Sequence, residues 1–423
     1  MSNDFNKEER VAFEDMLEGF NDALVLSKVV SKYNTDQTMM ERTSDVIWRP
    51  EPYIARTFDG MDQTGNFKPQ TQLSVPATIG FQKSSPWSMN AKELRDALQE
   101  GRLGKAAYQK LASDVNVAIM NVASAQGTLV VKRTSAASGF DDVAQCEAIM
   151  NEQGVMMGDR NLALSTRDYN GMANNLSIAS RSFGNKKSDT AYEKAFVGEV
   201  ASFDTYKLDY ANRIAAAAGG GGLTISTLVG AANYWVPKAT STAATGERNN
   251  VDNRYQRVTI SSTTGVAAGD AFTIAGVNAV HHITKGDTGQ LKTFRVISVD
   301  SATTMTISPP IISAQGGSDA EEQYKNVTIT PSGTAAIVFL NTVAAPINPF
   351  WHKDSIEIIP GRLAVPEGAG AAVMRGTTDN GIEFVWTKQF AIGTMDVFYR
   401  ADILFGVANL QPEMNGIMIF GQS

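Results

Sequence analysis

The spacing of apolar residues changes period twice along this chain, and that alternation restricts its folds more than any single motif does. In KAAYQKLASDVNVAIMNVASAQG, residues 105–127, the residues Ala107, Leu111, Val115, Ala118, Ile119 and Val122 fall on one helical stripe, with Lys110, Ser113, Asp114 and Asn116 away from it. At about 1.5 Å per residue this predicts a rod of about 35 Å. A short helix in AKELRDALQE, with Asn90 as N-cap, is expected to be interrupted from it by Gly101 and Gly104. Residues 140–218 mix the helical DDVAQCEAIMNEQ with short extended pieces. Four glycines at 219–222 then read as a hinge at a domain border or as a surface loop, and composition changes across them.

Beyond the glycines the period becomes two. TMTIS sets Met305 and Ile307 opposite Thr304, Thr306 and Ser308, and YQRVTIS sets Val258 and Ile260 opposite Arg257 and Thr259. Gly265, Gly269 and Gly276 supply turns. Residues 223–344 carry eight basic and eight acidic side chains, as a neutral, closed β-module would. From Pro349 the segments FWHKDSIEIIP, GIEFVWTKQF, TMDVFYRADILFGVANL and GIMIF have apolar runs suited to burial against the first half. The module is therefore an insertion into a host assembled from both sides of it.

Two segments lack an obvious place to hide. Residues 5–30 put Phe13, Met16, Leu17, Phe20, Leu24 and Val25 on one face of an acidic helix, which must dock on its own core or on a neighbouring subunit. Residues 48–81 are extended, because Pro50, Pro52, Pro69 and Pro76 forbid a helix and DGMDQTGN marks a turn. A two-stranded projection of that length with thin apolar content needs a sheet or a partner to stabilise it. Exposed stripes and strands of this kind favour self-assembly.

Composition and motifs exclude much else. Apolar residues at 43% and charged residues at 19% describe a globular chain, and a net charge of −7 gives no support to a broad nucleic-acid-gripping face. Cys146 stands alone, so no intrachain disulfide forms, and it reads as a small buried hydrophobe. MSNDFNKEER lacks the apolar run of a signal peptide and no stretch reaches bilayer-spanning length, so a cytosolic chain is expected and the sequons at Asn175 and Asn326 carry no meaning. His281, His282 and His352 have no cysteine at zinc spacing. No phosphate loop, dinucleotide fingerprint or nucleophile elbow is present. A cytosolic hydrolase with an appended β-module, using those histidines, is the alternative reading, and a surface adhesin would require an export signal.

The segments TSDVIWRPEP, ELRDALQEG, KLASDVNVAIMNVASAQGTLVV, EKAFVGEVASFD, NVDNRYQRVTISSTTGVAAGDAFTIAGV, FRVISVDSATTMTISP, FWHKDSIEII and RADILFGVANLQPEMNGIMIFGQ together resemble the major coat proteins of short-tailed, double-stranded-DNA bacteriophages that carry an inserted telokin-like domain. The resemblance implies an α+β tailed-phage major capsid fold of the Hong Kong phage type with an inserted all-β barrel. Residues 1–40 would be the N-terminal arm, and 41–139 the extension loop and the peripheral domain with its spine helix. Residues 140–222 would begin the axial domain, 223–344 form the inserted barrel, and 345–423 complete the axial and peripheral domains. It further implies hexamers and pentamers of an icosahedral shell, built with a scaffolding protein into a procapsid. That shell expands as double-stranded DNA, held without sequence-specific contacts, enters through a portal. No catalytic residue, cofactor, metal or membrane is implied. Candidate intersubunit contacts are Arg49, Arg56, Asp59, Asp62 and Lys68 in the extension loop, and Glu247, Arg248, Asp252 and Arg254 in the inserted domain.

Overall fold

The computed structural model describes residues 5, 7–33, 46–51, 54–90, 92–93, 97–181, 198–219, 222–228, 236–364 and 370–423. The chain divides into two units. One comprises Met1–Ile47, Pro76–Asn121 and Ile356–Ala408; the other comprises Trp48–Val75, Val122–Ser355 and Asn409–Ser423.

In the first unit the acidic helix α1, Lys7–Ala23, lies on its own core. Phe13 and Phe20 pack on Phe384 with ring centroids 5.9 and 5.4 Å apart, and Phe13 stacks on Trp386 at 6.3 Å. Of the two docking surfaces open to this helix, the chain's own sheet is the one it occupies. That sheet runs in the order Ser31–Lys32, Ile356–Pro360, Asp396–Asn409, Glu383–Ala391, Ala372–Thr377, and Phe81–Asn90 also pairs along Asp396–Asn409. Glu9, buried in α1, is neutralised by Lys388 and accepts from the Tyr399 hydroxyl at 3.4 Å.

The long helix α2 runs unbroken over Ala97–Gln126, so the expected interruption at Gly101 and Gly104 does not occur. Two glycines cost a helix roughly 1 kcal/mol each, which packing readily offsets. Gly104 is where α1 crosses: a Cβ there would lie 2.5 Å from the Met16 sulfur, and one at Gly19 would strike the Tyr108 ring. Asn116 then ties the end of α1 down, donating to Ala23 O at 3.1 Å and accepting from the Leu26 amide at 3.3 Å. Asn90 Oδ1 accepts from the amides of Lys92 and Glu93, and Glu93 reaches back to the Asn90 amide, while the start of the helix it is expected to cap lies partly outside the described residues.

The second unit contains two six-stranded sheets. The host sheet has the order Leu129–Lys132, Asn415–Ile419, Asn348–His352, Arg160–Ser165, Phe203–Leu208, Glu199–Val200. Helices α3, Phe140–Gln153, and α4, Thr166–Arg181, accompany it, and Val143, Cys146, Met150, Tyr169 and Met172 form one core with Leu162, Leu164, Phe350 and Met418 of the sheet. Burial pushes the Cys146 thiol up, so it is a packing residue without thiolate character. Asp142 caps α3, accepting from the amides of Ser138 and Gly139 and pairing with Arg133 at 2.6 Å.

The other sheet, drawn from the stretch proposed as the inserted domain, is antiparallel throughout, in the order Ile225–Leu228, Gln256–Ile260, Thr304–Ser308, Asp287–Val299, Ala271–Val280, Ile337–Phe339. It closes on itself. The Ile337 amide donates to Leu223 O at 2.8 Å, the Ile225 amide to Ala335 O at 2.9 Å, and Thr224 bridges Ala336. Val258, Ile260, Met305 and Ile307 all point into its core, as the period-two pattern predicts. The expected hinge at 219–222 falls partly outside the described residues.

The extended projection is paired only at its base, where Val46–Pro50 joins Ser74–Thr78 in a two-stranded sheet and the Glu51 amide donates to Leu73 O at 2.9 Å. The described residues of 54–73 form no strand. Pro69 removes a ladder donor, and the apolar residues there do not alternate, so no second face exists to bury.

Candidate functional site: the docking face of the inserted domain

Strand Asp287–Val299 faces two ways. Phe294 and Val296 enter the barrel core, whereas Lys292, Thr293 and Arg295 are buried against the host, the two cations each only 1% exposed. Lys292 Nζ donates to Gln153 Oε1 at 2.9 Å and pairs with Glu413 on the short turn Pro412–Met414. Thr293 Oγ1 donates to Thr128 O at 2.7 Å. Arg295 donates to Ser124 O at 3.1 Å and Gly127 O at 3.3 Å, at the end of α2. Buried cations persist only where partners compensate the lost hydration, and each of these has them.

Glu413 is the centre of this electrostatic cluster. Burial works to raise its carboxyl, but Lys292, His282 and Lys285 together hold it below the usual range. Burial, with Lys292 and Lys285 beside it, takes the His282 imidazole down to about 4 against the pull of Glu413, so it is neutral at pH 7. Its Nε2 lies 3.5 Å from Glu413 Oε2. Lys285 is lowered to about 8 by burial. Across a cavity of about 460 Å³, lined by Leu73, Tyr324, His282, Glu413, Arg254 and Glu51, burial and the Glu413 charge raise Glu51 to about 7.

Residues of the extended projection 54–73 are tied to the segment 319–324. Arg56 pairs with Asp319 at 2.8 Å and with Glu322, Lys68 pairs with Asp319 at 3.2 Å, and the Tyr324 hydroxyl donates to Thr71 O at 3.0 Å. Leu73, Ile312 and Tyr324 form a small apolar cluster beneath them. Arg254 is buried, forks onto Asp252 at 3.0 and 2.8 Å, and donates to Asn409 O at 2.7 Å. Of the nine charged candidates, the structure thus engages Arg56, Lys68, Asp252 and Arg254 within the chain, and Arg49 lines the cavity. Asp59, Asp62, Glu247 and Arg248 face solvent. Thr64 donates to Asp62 through its amide and hydroxyl, which holds that carboxyl below its ordinary value.

Lys292, Arg295, Glu413 and Glu51 went unsingled in the sequence. In LKTFRVIS Arg295 alternates with Phe294 and Val296 and reads as a solvent-facing charge, whereas Lys292 shares their parity and leaves the barrel face only because the pairing is irregular between Leu291 and Thr293. The histidines have local roles: His281 Nδ1 accepts from the amides of Ile283 and Thr284, both at 3.2 Å, and His352 Nδ1 accepts from the Asp354 amide at 3.3 Å. Among the described residues no three His, Cys, Asp or Glu side chains gather as a metal-ligand set. The arrangement fastens a module to a host and does not position a nucleophile beside a base.

Residues 1–421 match the family described as "P22 coat protein - gene protein 5". The chain belongs to the P22 coat protein family. A solved structure titled "CUS-3 coat protein I-domain" is 41% identical, covering 29% of this chain and 98% of its own, with a TM-score of 0.23. Two further similar structures are that of Mycobacterium phage Che8, 8% identical over 93% of this chain and 90% of that one, with a TM-score of 0.45, and the mature capsid of bacteriophage PhiM1, 9% identical over 93% and 86%, with a TM-score of 0.44. As a P22-type coat protein the chain is a bacteriophage major capsid protein with the α+β tailed-phage capsid fold. It is a structural protein of the virion that forms a homo-oligomeric shell. No helix among the described residues is long and apolar enough to cross a membrane.

Proposed function

We propose that this coat protein assembles in the host cytoplasm, with an internal scaffolding protein, into hexamers and pentamers of an icosahedral procapsid. The procapsid expands as double-stranded DNA enters through a portal, and the DNA is held without sequence-specific contacts. Residues 1–40 serve as the arm, 41–139 as extension loop and peripheral domain, 140–222 and 345–423 as the axial and return segments, and 223–344 as the inserted barrel.

The observation that carries this reading is the tip of the extension loop. Phe58, Met61 and Phe67 stand exposed there, Phe67 at 87%, between Asp59, Asp62 and a proline-bearing segment that forms no strand. Large apolar side chains in that position gain their burial from a neighbouring copy. The hairpin of Thr240–Thr242 and Arg248–Asn250 is likewise exposed along its length and offers Glu247 and Arg248 to a neighbouring capsomer. Contacts that are weak singly become durable when repeated around a closed shell. Arg49, Arg56, Lys68, Asp252 and Arg254 then support the loop and hairpin from within the subunit.

Electron microscopy of the expressed chain with and without a scaffolding protein tests the proposal. Closed, uniform shells only in the presence of scaffolding protein are expected. Uniform shells without it would remove the scaffolding step, and a chain that stays monomeric under both conditions would remove the assembly reading.

A further inference from the structure

The last turn of α2, Ala123, Ser124, Ala125 and Gln126, contains no basic residue. A helix of thirty residues ends there with a negative dipole end and carbonyls that have no intrahelical donor. The usual closure by a left-handed glycine is missing too. Gly127 is not in the left-handed region; a Cβ on it would sit 3.0 Å from Gly416 Cα, so glycine is needed for the close approach of two backbones. The Thr128 amide is directed to Pro412 O and Asn415 O at 3.2 and 3.1 Å, away from the helix.

The donors come from far along the chain. Arg295, about 170 residues on, gives Nη2 to Ser124 O and Nη1 to Gly127 O, and Asn409 Nδ2 donates to Gln126 O at 3.3 Å. Among the described residues Arg295 makes no direct carboxylate pair; Asp270 is the acidic group that acts on it from within the barrel. Burial lowers it only to about 10, so it remains a cation at neutral pH.

We infer that Arg295 is a positioning residue: the inserted domain supplies, through this one guanidinium, the cationic C-terminal cap of the long helix and so fixes where that helix ends. Thr293, bonded to Thr128 O one residue past Gly127, registers the same strand against the segment that follows. The inserted domain is then more than an appended module, because the end of the host's longest helix is incomplete without it. This inference concerns the folded subunit and stands whether or not the scaffolding reading holds.

The test compares Arg295→Met and Arg295→Lys with the parent in the full-length unassembled chain, by peptide-resolved hydrogen exchange. Arg295→Met keeps the apolar stem and removes the charge and the donors. It is expected to speed exchange in the last two turns of α2 and residues 127–128 by about tenfold or more, while strands 256–260 and 304–308 keep their protection. Arg295→Lys, a point charge without the fork, is expected to restore part of the difference. Equal loss in helix end and barrel strands would mean that Arg295 merely stabilises the barrel, and unchanged exchange at the helix end would mean that it caps nothing; either result overturns the inference.

Discussion

The two six-stranded sheets of the second unit are about the same size and differ in how the chain builds them. The barrel sheet takes all its strands from one continuous stretch, 225–339, and its first and last strands meet at one end through Leu223, Thr224, Ala335 and Ala336. The host sheet draws strands from 129–132, 160–165 and 199–208 and then needs 348–352 and 415–419, which arrive only after the barrel has been made. The two late strands lie second and third in the order, between 129–132 and 160–165. Loop-closure entropy is therefore modest for the barrel and large for the host, unless the intervening residues are already compact. A compact sheet over 225–339 shortens that effective loop, and its Lys292 pairs with Glu413, two residues before the late strand 415–419.

The sharpest way to break this comparison is to empty each core separately. Phe272→Ala in the barrel and Phe350→Ala in the host sheet each remove a fully buried ring and are expected to cost about 3–5 kcal/mol. Hydrogen exchange on the full chain should show Phe350→Ala opening the host strands while the barrel strands stay protected. Equal loss of protection in both sheets would make them one cooperative unit.

Removing one partner of the interface pair comes next. Lys292→Met leaves Glu413 buried beside a neutral histidine and is expected to destabilise by about 3 kcal/mol, whereas Lys292→Met combined with Glu413→Gln should recover much of the loss. Urea denaturation midpoints measure both, and an additive double variant would show that the pair is not coupled.

Acidity sharpens the picture further, because two groups at the docking face work in opposite directions. His282 titrates near 4 when folded against 6.5 otherwise, so the unfolded chain takes the proton first and stability is lost as pH falls from 6.5 to 4. Glu51 titrates near 7 against 4.5, so the folded chain takes the proton first and stability is lost as pH rises from 4.5 to 7. Glu51→Gln should therefore gain on the parent as pH rises through that window, and His282→Gln should gain as pH falls through its own, each by at most about 3 kcal/mol. Parallel pH profiles for Glu51→Gln and the parent would refute the burial of that carboxylate.

The smallest effect is expected from Arg56→Ala, which unties the extension loop from Asp319 and Glu322. These carboxylates are substantially exposed, and about 1 kcal/mol or less is expected from thermal unfolding, with no change in barrel protection. A larger loss would mean that the loop is part of the barrel's own stability.

Much of the architecture was legible in the residues alone. Period-two alternation around Val258, Ile260, Met305 and Ile307 reports a sheet with one buried face, and the helical stripe from Ala107 to Val122 reports a long amphipathic rod, because both patterns follow from backbone geometry. Gly101 and Gly104 misled at the rod's start: a glycine's local cost is small, and its benefit at a helix crossing depends on Met16, which lies far away in sequence. The charged candidates divided for a similar reason. Whether Arg254 or Arg56 faces a neighbour or an acid of its own chain depends on where Asn409, Asp319 and Glu322 come to lie.

What the amino-acid order determined by itself was the helical stripe of the rod and the alternating strands, since periodicity and turn chemistry are local properties. What only the tertiary structure decided was the fate of the two cations on strand 287–299. Lys292 and Arg295 carry the same charge in any conformation, and they become part of an interface because folding places Glu413 and the end of a helix within hydrogen-bonding distance.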